Sequence, residues 1–378
     1  MLVYLSLLVF IMLDFALEYF LNKKGILSRE TKLAKILNFI FKYRVLTIAA
    51  LVFVSTFRAV GVSGDSKHYY IYYSHFQNNF EPIYKYEIGY MVLNFILAVV
   101  FRFDFRVLFF VISLFISIIF VLFINKFSNN KPLSFFLFVT LCVFFQTLGA
   151  LRQVIAIGFL ILALQSILDN KLWKTIFFII CASLFHVTAL ICFIIIPAKY
   201  IKLNHWWLIG LLAACIVFSI VLPYILQLIE FVFPRIDFYD RYFVKNANHF
   251  FLPTNLFNIL YSLALITIYI FLYLARFKWF KKALEDDKAF TFFLTLFTII
   301  PLLRIAGFII GLEALLNRLN MYFFFLLIVL VPKFMSCLKR FNHSGWLYAI
   351  VYVGSLAYMI LNLVFHDSMQ VTPYIFWF

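Results

Sequence analysis

Apolar residues in this chain come in long, nearly unbroken blocks instead of alternating with polar ones at helix or strand spacing. The blocks lie near 1–21, 43–57, 87–101, 107–125, 132–149, 151–168, 175–198, 206–226, 255–275, 289–312, 319–335 and 345–365. Helices that are apolar on every side bury themselves in lipid, and a span needs roughly 20 such residues. The pattern predicts an all-α polytopic membrane protein, one transmembrane helical domain over 1–378, with about twelve spans (a range of about 10–13).

Composition strengthens that reading. Of 378 residues, 66% are hydrophobic and 13% charged, with mean hydropathy +1.03. Soluble domains average about 25% charged residues, and a single water-soluble core cannot hide this much apolar surface. The net charge of +16 would suggest nucleic acid in a soluble protein. Here Lys and Arg gather in short connectors, so nucleic-acid binding is excluded in favour of positive-inside topology. Segment 22–44 carries Lys23, Lys24, Arg29, Lys32, Lys35, Lys42 and Arg44 against Glu30. Segment 276–288, Lys199 with Lys202, and Lys333 with Lys339 and Arg340 are the other basic connectors. Even numbers of crossings separate them, which puts all four inside and both chain termini outside. The first 21 residues lack a basic leader and a small-residue cleavage site, so they read as a retained helix. Two connections rich in Tyr, Asp and Asn, near 58–86 and 227–254, then face outward.

The five cysteines lie in or beside apolar runs with no C-x-x-C spacing, which fits packing residues. No P-loop, H-E-x-x-H, G-x-S-x-G or His/Cys metal spacing occurs, so neither a metal nor a cofactor is expected.

Ionisable residues inside apolar runs are costly, roughly 2.5–3.5 kcal/mol at mid-bilayer, and are candidates for function. Arg58 ends the second run and is followed by Gly61, Gly64, Asp65, Tyr69 and Tyr70; it is either a site residue or an arginine snorkelling to the interface. Arg152 and Gln153 interrupt a 37-residue apolar stretch, and their donors suit phosphate or carboxylate. The other reading is a structural arginine on helix C-terminal carbonyls. Strict counting puts Arg152 near the inner face; if 87–106 is re-entrant and the chain reverses near His186, it lies outside. His186 is the one histidine within an apolar run, catalytic or merely satisfied. Arg304 and Arg318 flank Glu313 around the outer end of the tenth run, one positive charge in excess.

Taken in order, F-R-A-V-G-V-S-G-D-S-K-H-Y-Y at 57–70, E-I-G-Y at 87–90, L-R-Q-V-I-A at 151–156, S-L-F-H-V-T-A-L-I at 183–191, N-R-L-N-M-Y-F at 317–323 and T-P-Y at 372–374 resemble the EpsG family. These are bacterial exopolysaccharide-synthesis membrane proteins that behave like Wzy-type polymerases. The family's R-x-x-x-G-T-D is longer here, running from Arg58 to Asp65. The resemblance implies polymerisation of undecaprenyl-diphosphate-linked oligosaccharides at the outer face of the bacterial cytoplasmic membrane, with a flippase and a chain-length regulator as further partners. Fixed arginines stabilise a diphosphate leaving group; Arg58, Arg152, Arg304 and Arg318, with Tyr69 and Gln153, are the substrate-binding candidates. Asp65, Glu87 or His186 would be the general base. The transfer is expected to be metal-independent.

Three other classes stay open: a flippase or transporter of lipid-linked saccharides, which should carry two related halves; a membrane acyltransferase using His186 beside an acidic or hydroxyl partner, Ser183 being the nearby candidate in sequence; and a scaffold whose buried charges join helices.

Overall fold

The computed structural model of the protein describes residues 1–79, 86–201, 256–284, 286–310, 313–338, 345–367 and 369–377, with scattered helical positions between 206 and 224. The outer connection expected at 227–254 lies outside the described residues. The described chain is helical, and among the described residues the one β-type pairing is an isolated antiparallel bridge between Arg58 and Phe376. It divides into two compact units, one of 1–193 with 331–378 and one of 194–330.

The first unit holds α1 (Leu2–Lys23), α2 (Lys32–Tyr43), α3 (Val45–Thr56), α4 (Ser66–Asn79), α5 (Ile88–Phe95, continued by a π-turn to Val100), α6 (Phe105–Phe127), α7 (Lys131–Thr140), α8 (Val143–Gly149), α9 (Leu151–Leu168) and α10 (Leu172–Phe185). The breaks between helices have local causes. Thr31 caps α2, its hydroxyl accepting from the Ala34 N–H at 3.2 Å, and Arg44 ends it with a left-handed φ of 52°. Asp104 caps α6, and Asn130 caps α7 with Pro132 in its first turn. Cys142 takes φ 62° between α7 and α8. The pairs α2/α3 and α7/α8 are bent by 52° and 49° at these residues.

The sequence led us to expect about twelve spans. Among the described residues, six helices are long and apolar enough to cross a membrane, or eight if each bent pair is one span. Part of the difference is physical: the run at 87–101 folds into a short helix, and that at 175–198 breaks at His186 into α10 and a 3-10 segment, Val187–Ile194.

Within the first unit, two ends can be told apart. At one end Arg44 pairs with Asp14 and Glu18, Asn125 donates to the Lys42 carbonyl at 3.0 Å, and Lys126 meets Asp169 at 3.2 Å. At the other, Tyr4 donates to the Val371 carbonyl at 2.7 Å, and the Ser63 N–H to the Gln370 carbonyl at 2.7 Å. Helices α6 and α9 connect the two ends. The first end carries the basic segment 22–44, and the second carries the 58–66 loop and the C-terminal tail. Helix α5 does not change ends. Phe103, which follows it, accepts from Tyr73 and Gln77 of α4 at 2.8 Å, beside the start of α6. The re-entrant alternative for 87–106 is the one this geometry follows, and Arg152 sits at the same end as Arg58.

In the second unit, the helix Leu256–Leu274 packs with Lys288–Phe297 and Ile299–Ile310. Thr298 donates to the Tyr269 hydroxyl at 3.2 Å, and Arg276 to the Thr291 hydroxyl at 2.8 Å.

Candidate functional site

Glycine 89 is where the site begins. A Cβ there would lie 2.8 Å from the Leu184 carbonyl oxygen, so the absence of a side chain lets α5 touch the last turn of α10. That approach carries Glu87, just ahead of α5, to His186, which ends α10 in an extended conformation (φ −154°, ψ 109°). Glu87 Oε1 lies 3.2 Å from His186 Nδ1 and accepts the Val187 N–H at 3.2 Å. Its Oε2 accepts from Arg152 Nη1 in a direct ion pair. The break at Ala150 between α8 and α9 puts Arg152 in the first turn of α9.

A positive side chain opposes the helix dipole at an N-terminus, where anions are favoured. Arg152 therefore is not the carbonyl-capping arginine considered from the sequence; Glu87 supplies the negative charge that this position calls for. The three side chains are 20%, 17% and 12% exposed, so the cluster is sheltered but open at one side.

Tyrosines close the cluster. The Arg152 guanidinium lies 4.4 Å from the Tyr86 ring centre, within cation–π range, and the Tyr69 hydroxyl is close enough to interact with its charge. Tyr69, Tyr72, Tyr86 and Tyr90 form one ring cluster, with centroids from 4.5 Å (Tyr72–Tyr86) to 6.1 Å apart. Tyr69, Tyr72, Tyr73 and Phe76 are the buried stripe of α4 at three- and four-residue spacing. Sequence reasoning named Tyr69 and missed Tyr72, Tyr86 and Tyr90. The α4 spacing and the E-I-G-Y tetrapeptide were the available signals.

Burial alone would raise the Glu87 carboxyl, yet its hydrogen bond to His186 and the nearby Arg152 charge bring it down to about 2. A carboxyl held that low takes up a proton poorly at neutral pH, which suits holding charge and orienting its neighbours better than acting as a base.

The other predicted residues separate from this cluster. Arg58 is 1% exposed. It donates to the carbonyls of Ser55 and Leu148, the latter at 2.7 Å, and its guanidinium lies 3.6 Å from the Phe109 ring centre. Over it runs the tail: Ala59 N–H donates to the Ile375 carbonyl and Trp377 N–H to the Phe57 carbonyl, each at 2.8 Å. In this arrangement two of its amino groups are engaged by main-chain carbonyls and the tail passes over it, which gives Arg58 a structural role here. Asp65 is exposed at the start of α4. Gln153 is buried beside Arg152 but turned about a quarter-turn round the helix, so the two do not make one fork of donors. Arg304 belongs to the second unit, buried with its guanidinium 4.7 Å from the Tyr261 ring centre. The side chains of Glu313 and Arg318 lie outside the described residues.

Compared with known proteins, residues 41–376 match the model of the EpsG family, nearly the whole chain. No curated protein and no solved structure matches. The chain belongs to the EpsG family.

Proposed function

Starting from that membership, which suggests a membrane polymerase of exopolysaccharide, we propose that the protein joins undecaprenyl-diphosphate-linked oligosaccharide repeat units. The transfer takes place at the outer face of the bacterial cytoplasmic membrane and is metal-independent. On this reading the end bearing Arg152, the 58–66 loop and the tail faces outward, and about twelve spans make up one membrane domain.

One observation carries the proposal: a sheltered, partly exposed arginine at a helix N-terminus, held by a carboxylate that also holds an imidazole. An acceptor sugar hydroxyl attacks the anomeric carbon of a second unit. The new C–O bond forms as the old one to the lipid diphosphate breaks, and the diphosphate leaves with the electron pair. Arg152 and the amide groups of the first turn of α9 meet that developing charge. His186 receives the hydroxyl proton. Glu87 orients both, its Oε1 on Nδ1 leaving Nε2 as the nitrogen for proton transfer. Tyr86, the half-buried member of the ring cluster, would offer its ring to the sugars, with Tyr72 packed behind it. Asp65, exposed on the same end, would hold acceptor hydroxyls. Arg304 and Arg318 are proposed as further residues that bind the anionic substrate. A flippase delivering repeat units and a chain-length regulator would be partners.

The Glu87–His186 pair also meets the requirement for a membrane acyltransferase, a histidine beside an acid. Reconstitution of the purified chain with lipid-linked repeat units separates the two. A ladder of lengthened saccharides that disappears in Arg152→Gln is the expected result. Acyl transfer to the saccharide without lengthening, or a ladder unchanged in Arg152→Gln, would reject the proposal.

A further inference from the structure

Helix α2 has three different faces. Ala34 and Phe41 are buried against the protein, and Asn38 donates to the Leu27 carbonyl at 2.8 Å. Leu33, Ile36 and Phe39 form an exposed apolar face, 62%, 48% and 59% accessible. Lys35 and Lys42 are exposed next to Asn38, on the polar arc. An isolated helix of this design would be marginal in water. Exposed apolar and basic arcs side by side are what a helix lying at the surface of a bilayer needs.

Its depth can be read from the protein. The Lys42 carbonyl accepts from Asn125, in the last turn of α6, whose next residue, Lys126, is paired with Asp169 in the exposed connector after α9. Two spans end at this level, so the C-terminal end of α2, at Lys42, lies where the hydrocarbon stops. The 52° bend at Arg44 carries it away from the line of α3. That bend is held: the left-handed Arg44 is 3% exposed, paired with Asp14 and Glu18, with its guanidinium 3.7 Å from the Phe15 ring centre. Asp14 in turn accepts from the Thr47 hydroxyl at 2.8 Å. Buried groups of α1 and α3 thus fix the angle at which α2 leaves the bundle. Lys23, Lys24, Arg29, Lys32 and Glu30 are exposed around it, six positive charges against one negative once Lys35 and Lys42 are counted with the four.

We propose that α2 is an interfacial helix that binds anionic phospholipid headgroups, with Leu33, Ile36 and Phe39 in the acyl boundary, Lys35 and Lys42 on the headgroups, and Lys32 reaching them from the helix's first residue. The occupant follows from charge complementarity and depth together: a soluble acidic partner would have no use for the apolar arc at the level of the span ends. Each lysine near such a surface contributes roughly a fivefold preference for anionic lipid.

The test uses the full chain in nanodiscs of mixed phosphatidylglycerol and phosphatidylcholine. Spin-labelled forms of each lipid report their relative association with the protein. Wild type is expected to prefer phosphatidylglycerol. The variant Lys32→Gln/Lys35→Gln/Lys42→Gln should lose most of that preference, while Lys171→Gln/Lys174→Gln, exposed lysines beyond α9, should keep it. An unchanged preference in the triple variant, or an equal loss in both, overturns the proposal. All five lysines are exposed, so the variants keep the packed interior, and circular dichroism checks that they do.

Discussion

Arg58 and Arg152 lie at the same end of the same unit, and both interrupt apolar sequence at similar cost. Their surroundings differ in kind. Arg58 spends its donors on carbonyls in the last turns of α3 and α8, where helix dipoles favour a cation, with an aromatic ring beneath and the tail above. Arg152 sits in the first turn of α9, where the dipole disfavours it, and depends on Glu87. On the proposed function, one arginine completes the structure and the other is held for the substrate at a place the structure alone does not reward. A costly charge marks a site only when its donors point at something other than the protein's own main chain.

Substitution can break this contrast. The largest effect is expected at Arg152. Arg152→Gln should lower polymer synthesis in reconstituted vesicles by roughly 100- to 1,000-fold, the scale for losing one charge-stabilising donor. Folded protein recovered in detergent should be unchanged, and Arg152→Lys should restore part of the rate. Arg58→Gln should behave in the opposite way. Each carbonyl left without a donor costs about 1–3 kcal/mol, so melting temperature and yield fall while the rate per folded molecule stays near wild type. An inactive but fully stable Arg58→Gln protein would erase the distinction.

Two smaller changes sharpen it. Glu87→Gln keeps the shape and removes the charge, and it should cost roughly 10- to 100-fold in rate, less than Arg152→Gln, because the guanidinium is still present and the amide oxygen can still accept from it. Gly89→Ala presses a methyl on the Leu184 carbonyl, an overpacking cost of about 1–3 kcal/mol. It should also part Glu87 from His186 while leaving the Arg152 side chain itself unaltered. The measurement is the rate against pH: a shifted profile in Gly89→Ala is expected, and a profile identical to wild type would remove His186 from the reaction.

The membrane class, the two ends and the cost of Arg152 were legible because hydropathy and charge are local properties. The role of Arg58 was not, because what covers it arrives from the far end of the chain: Tyr4 and Val371 are bonded across a separation of 367 residues. Nor could counting crossings locate Arg152. A 13-residue apolar stretch such as 88–100 has the composition of a span, but its length leaves the direction of the chain undecided. His186 with Glu87 was hidden for a third reason. Their meeting depends on one glycine against one carbonyl, and nothing in the spacing of residues 87 and 186 announces it.

The smallest effect is expected at the tail's last described residue. Trp377 donates its N–H to the Phe57 carbonyl, and its ring lies 6.3 Å from that of Tyr70 and 5.6 Å from the Arg106 guanidinium. In Trp377→Ala the backbone bond persists and only the ring contacts are lost, worth about 1 kcal/mol in all. Melting temperature should fall slightly and activity per folded molecule should not change. The value of so small a prediction is that it isolates what the tail does. Its cover over Arg58 is made by main chain, through the Ile375 and Phe57 carbonyls, and survives the loss of the ring. If Trp377→Ala instead lowered activity at unchanged stability, the tail would reach into the Arg152 cluster, and the separation of supporting from reacting arginine would have to be redrawn.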